Sequence, residues 1–312
     1  MPREQPLLGI IDREPARRHA EENFTAQILL LQDFVNYGSN LIIRAFNSSE
    51  KQLRDVVACG VFLKQIVGLI DSVELLISAG TAYPAFLPAR AAFEASVYLD
   101  WMLFSDSEKK AKYYVVSNYR DERRWASRGI RGSIEDAALS SITRSIGLDI
   151  HSERPSLEGE AKRHLKEVDR ILAQPDFKNI DLEFDALRKR RKHDPFWYEP
   201  LGMRSLRAIA KAVQREPEYE FFYGRGSSIT HTSQYKDQIR FSHGKVSFKQ
   251  IRHLSGIEQL VTFVGLTALK SFHHTLLQYR NEEAPAFLKK YLEDWRAPFQ
   301  TVRPVTYKTE MP

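Results

Sequence analysis

Hydrophobic positions recur along this chain at three, four and seven residues, the period of a helix with one face turned to a core. From Phe24 onward, Ile28, Leu31, Val35 and Ile42 share one stripe and predict a first long helix. Asn47, Ser48 and Ser49 offer capping oxygens, and Phe62, Ile66, Leu69, Val73 and Leu76 then repeat the pattern until Gly80 stops it. A third helix is expected from about Pro84 to Phe104, and a fourth from Ser107 to Arg128. Residues 129–194 are more polar and predict shorter helices, separated by residues 147–155 and by Gln174, Pro175 and Asp176. Arg204 to Gln214 predicts a short helix, and Tyr219 to Tyr223 an aromatic segment. A turn at Gly224, Arg225 and Gly226 follows, with Ser227 or Ser228 capping a further helix. Residues 239–248 alternate around Ser242-His243-Gly244-Lys245, the pattern of a small β-hairpin. Leu254, Ile257, Val261, Val264, Ala268, Phe272 and Leu276 mark a long last helix. Its apolar residues spill onto neighbouring faces, which predicts a central position.

The expected fold is therefore all-α, a bundle of long antiparallel helices with a more irregular polar helical middle and one hairpin. Residues 1–22 are expected to be a flexible segment, 23–128 one half of the bundle, 129–194 an insertion or lid, 195–296 the other half, and 297–312 a loose tail.

Composition narrows the class. With 43% hydrophobic and 28% charged residues over 312 positions, the chain can bury a sizeable core, in one large body or two lobes. Its single cysteine, Cys59, excludes an internal disulfide. Together with a charged, proline-containing N-terminus lacking the apolar core of an export signal, this predicts a cytoplasmic location. Residues 75–89 form an apolar stretch too short to span a bilayer and broken by Gly80, Pro84 and Pro88, so no membrane partner is expected. A net charge of +6 is compatible with a polyanionic partner but does not single one out. The five consecutive basic residues from Arg188 to Lys192 read better as a solvated helix end than as a nucleic-acid contact.

Two constellations can carry chemistry. Arg90 and Glu94 lie four apart on one face of the third helix, among apolar neighbours that withdraw both from water. The pair serves either as a structural clamp or as the charged floor of a pocket. The second constellation is Tyr223, Arg225, Ser227, Ser228 and His231. A serine-capped helix start beside an arginine suits an anion, and a histidine exchanges protons near neutral pH. Arg225 and His231 together can support metal-free phosphodiester cleavage; the alternative is an ordinary hydrogen-bonded histidine. His273 and His274 point about 100° apart on a helix and lack a paired ligand motif, so neither a metal nor a cofactor is expected. Residues 204–213 look like the first helix of a helix-turn-helix, but no basic recognition helix follows, and core packing is the better reading.

The stretches 70–104 and 197–233 resemble the two signature regions of an uncharacterised bacterial helical family, domain of unknown function 5677. That family pairs an Arg-three-Glu helix with a later Tyr, Ser and His, matched by Tyr223, Ser227 and His231. Gly226 departs from the larger apolar residue expected before the serine. More distantly, five residues between Arg225 and His231 are similar to the motif of HEPN domains, although Gly226 replaces the usual polar residue after the arginine. That resemblance implies a metal-independent endoribonuclease of a defence or toxin system acting as a homodimer. His231 would be the acid or base at the ribose 2′-hydroxyl and Arg225 the phosphate stabiliser. The competing expectation is a non-catalytic sensor or scaffold in which Arg90, Glu94 and His231 form a buried polar network.

Overall fold

The computed structural model describes residues 11–224, 226, 229, 238–242, 245–303 and 305. They fold into two compact units, one made of Met1–Ser105 with Leu206–Pro312 and the other of Asp106–Ser205.

In the first unit, α1 (Arg13–Ser48) presents Phe24, Ile28, Leu31, Phe34, Leu41 and Ala45 along one buried stripe. It begins eleven residues before Phe24, where its apolar pattern starts. Exposed ion pairs of Arg17 with Glu14 and Glu21 accompany that charged first stretch. Residues 13–22, expected to be flexible, are therefore helical. Next comes the helical run α2 (Leu53–Ser78), which opens on a reciprocal cap between Gln52 and Asp55 and passes through π-helical turns at Val56–Leu63. By length and composition this run could cross a membrane, yet half of its most apolar window is buried inside the chain. Val57, Phe62, Ile66, Ile70 and Val73 are all buried there. Cys59 lies on the same face, and burial pushes its thiol up to about 12. The chain then turns at Gly80 with φ +76°, where an added Cβ would meet the Ala16 backbone at 2.5 Å, so glycine is required on both counts.

Two helices fill the middle of this unit. In α3 (Phe86–Phe104), Phe86, Ala89, Ala92, Phe93, Ala95, Val97, Leu99, Trp101 and Met102 are buried on all sides. Beyond the short α4 (Leu206–Ala212), a helical turn at Tyr219–Tyr223 and the antiparallel strands β1 (Ile239–Ser242) and β2 (Lys245–Phe248), α5 (Ile257–Tyr279) is similarly enclosed. Its Phe272 sits edge-on to Phe34 at 6.3 Å, and Gly38 of α1 lets both Phe272 and Val67 approach closely. The chain continues through α6 (Ala284–Lys290) to the buried Trp295, whose indole N–H donates to Asp33 at 2.8 Å. Arg296–Gln300 is again helical, and Gln27 donates to the Pro298 carbonyl at 2.9 Å, so the start of the expected loose tail is tied down.

The second unit is wider than the polar middle at 129–194. It takes in the helix Ser107–Ser127, whose Tyr113 and Val116 share an apolar core with Val168, Leu172, Ile180 and Phe184. Those partners come from the helices Leu157–Leu172 and Pro175–Arg191. The basic run closes the second of these, with Lys192 in a left-handed cap and Arg188 facing Asp194 at 3.3 Å.

Candidate functional site

Arg90 and Glu94 project from α3 as half-buried side chains. Tyr223 joins them. Arg90 Nη2 donates to the Tyr223 hydroxyl at 2.8 Å, and that hydroxyl faces Glu94 Oε2 at 3.4 Å as donor. Glu94 Oε1 accepts from Tyr98 one turn along the helix at 3.0 Å. The guanidinium carbon of Arg90 also lies 4.3 Å from the centre of the Tyr223 ring, which in turn stacks on Tyr219 at 4.7 Å. Burial pushes the Tyr223 hydroxyl above the usual tyrosine range; Arg90 opposes the shift and Glu94 adds to it. The phenol therefore stays protonated and works as a two-sided relay, accepting from the cation and donating toward the anion.

The helical turn does not break at the glycines. Gly224 has φ −58° and ψ −38°, and Gly226 is helical too, so neither glycine adopts the turn conformation expected of it. Gly226 serves a different purpose. An added Cβ would lie 2.7 Å from Cβ of Arg90 and 3.0 Å from its Cδ, so only a hydrogen leaves room for the arginine stem. This is a physical reason for the departure from the family pattern at this position. Of the sequence-predicted site residues, the structure thus brings Arg90, Glu94 and Tyr223 together. Arg225, Ser227, Ser228 and His231 lie outside the described residues.

A second polar cluster escaped the sequence pattern. Asp100, ten residues beyond Arg90 on the same helix and buried at 6% exposure, accepts from Arg215 Nη1 at 2.9 Å and pairs with His274 Nδ1 at 2.6 Å. Arg215, 2% exposed, also bonds Ser96 and donates through Nε to Glu218 at 2.6 Å, while Lys270 closes the far side of Glu218. Its guanidinium carbon sits 4.9 Å from the Phe93 ring centre, and among the described residues its Nη2 has no hydrogen-bond partner. The one signal available in the sequence was a carboxylate inside the apolar run Val97-Tyr98-Leu99-Asp100-Trp101-Met102.

The adjacent histidines diverge. His273 stacks on Phe287 at 6.1 Å, and burial followed by the neighbouring His274 lowers its pKa, whereas His274 turns to Asp100. Among the described residues no group of three or more histidine, cysteine or acidic side chains gathers to hold a metal.

No curated protein and no solved structure matches the chain. A family model does, over residues 55–237, a span that includes α3 with Arg90 and Glu94 and the Tyr223 turn that binds them. The chain belongs to the family of unknown function DUF5677.

Proposed function

We propose that the chain is a HEPN-like helical protein that binds RNA or another phosphate-bearing ligand and cleaves it without a metal, in a bacterial defence or toxin setting. The observation that carries this reading is the docking of the 219–226 turn on α3, where Tyr223 bridges Arg90 and Glu94 and Gly226 lies against the Arg90 stem. Arg225 falls between those two anchors in the chain, and His231 follows five residues after Gly226. In the proposed reaction His231 takes the proton of a ribose 2′-hydroxyl, and the 2′-oxygen bonds to phosphorus as the bond to the 5′-oxygen breaks. Arg225 stabilises the charge that builds on the phosphoryl oxygens. The departing 5′-oxygen takes a proton from solvent water, so a 2′,3′-cyclic phosphate and a 5′-hydroxyl result, and a second copy of the chain would supply a second motif.

The test is RNA cleavage by the purified protein in EDTA. His231→Ala and Arg225→Ala are each expected to slow cleavage by about a hundredfold or more with an unchanged melting temperature. Intact RNA after long incubation with the wild-type protein would overturn the reading.

One observation favours a non-catalytic sensor or scaffold instead: both Glu94 oxygens and Arg90 already have tyrosine partners within the chain. On that reading Glu94→Gln lowers the melting temperature and no cleavage is there to lose.

A further inference from the structure

The buried cluster around Asp100 opens on a cleft of about 410 Å³ lined by Leu103, Phe104, Val213, Gln214, His274 and Gln278, among others. Such a volume suits a small organic ligand rather than a single ion or water. Its walls are of two kinds. Phe104 is 72% exposed and Leu277, also on the wall, 48%, so apolar surface is accessible at the cleft. Set among these side chains are three polar groups with fixed or matching donor and acceptor patterns.

His274 is the first. The Asp100 carboxylate accepts from Arg215 Nη1 at 2.9 Å, and the His274 Nδ1 facing it at 2.6 Å is its second partner. In the tautomer with its proton on Nδ1, the other ring nitrogen, Nε2, offers a lone pair to a hydrogen-bond donor. The other two are the Gln214 and Gln278 amides, each offering one acceptor and two donors. Gln214 sits at φ +58°, the left-handed region that favours glycine, at the point where Arg215 N–H returns to the Ala210 carbonyl at 2.7 Å and ends α4.

We propose that this cleft is an adenine-base site: Phe104 stacks on the ring, His274 Nε2 accepts from the exocyclic amino group, and a glutamine amide pairs with a remaining edge. Stacking on an exposed aromatic is the general means of holding an unpaired base, and a glutamine amide matches the hydrogen-bonding pattern of adenine. The base can belong to a free nucleoside or to single-stranded RNA. The site needs neither Arg225 nor His231, so it stands whether or not the chain cleaves RNA.

The test is calorimetric titration of the full chain with adenosine and, separately, with a short oligoadenylate. Saturable binding of adenosine identifies a free nucleoside as sufficient; binding of the oligoadenylate alone identifies RNA as the source. In either case Phe104→Ala and Gln214→Gly are each expected to weaken binding about tenfold or more. Gln214→Gly should at the same time raise the melting temperature, since it relieves the backbone. His274→Ala is expected to abolish binding, and because it also removes a partner of Asp100, the exposed Phe104→Ala decides the matter if that variant is unstable. Failure of both probes to bind at millimolar concentration, or unchanged binding by Phe104→Ala and Gln214→Gly, overturns the proposal.

Discussion

Both compact units carry arginine–carboxylate pairs, but in opposite surroundings. In the Asp106–Ser205 unit, Arg123 reaches Asp169 at 2.9 Å and Arg124 reaches Asp121, with side chains between 30% and 59% exposed. Water and salt screen such pairs, and each contributes about 0–1 kcal/mol. In the other unit, Arg215 and Asp100 are 2% and 3% exposed by side chain and lie beside Phe93. There the desolvation cost is large, and the pair persists because Ser96, Glu218 and His274 satisfy most of the remaining donors and acceptors. The same residue types are thus surface decoration at Arg123 and Arg124 and a fixed internal framework at Arg215. Burial, not pairing, decides which.

Removing one half of the buried pair should break that contrast most sharply. Arg215→Met is expected to cost about 3–5 kcal/mol in urea unfolding, since it leaves the buried Asp100 carboxylate without its main partner. Adding Asp100→Leu to that variant should recover much of the loss; a double variant no more stable than the single one would show that the framework does not act through uncompensated charge. Next in size is Gly226→Ala, whose new methyl group collides with the Arg90 stem and should cost on the order of 1–3 kcal/mol. It should also move the Tyr223 ring, visible as a change in near-ultraviolet circular dichroism. The smallest effect belongs to the Asp106–Ser205 unit: Arg123→Ala should cost under about 1 kcal/mol, and high salt should erase the difference from wild type. A salt-independent loss of several kcal/mol there would erase the distinction between the exposed pairs and the buried one.

Sequence periodicity located the long helices well because each buries a continuous stripe whose spacing is local. Unit boundaries are another matter. The helix Ser107–Ser127 reads like its predecessors, and only its contacts with Val168, Leu172 and Phe184, some fifty residues or more away in the chain, assign it to the second unit. Arg90 and Glu94 stood out as charges in an apolar helix, yet the tyrosine that joins them comes from 129 to 133 residues further on. Arg215 is separated from Asp100 by 115 residues, and no spacing rule spans such a distance. Gly226 looked like a turn residue because glycine most often signals one; the structure uses its missing side chain for close approach instead.

The order of the chain has a consequence for its synthesis. Residues 106–205 interrupt the first unit, so α1, α2 and α3 leave the ribosome long before α5, against which Phe34 and Phe93 pack. At about 5–20 residues per second, the early helices wait on the order of ten to thirty seconds for that partner. During the wait their apolar faces are open to chaperones and to neighbouring nascent chains, while the intervening unit already has all its own core residues in hand.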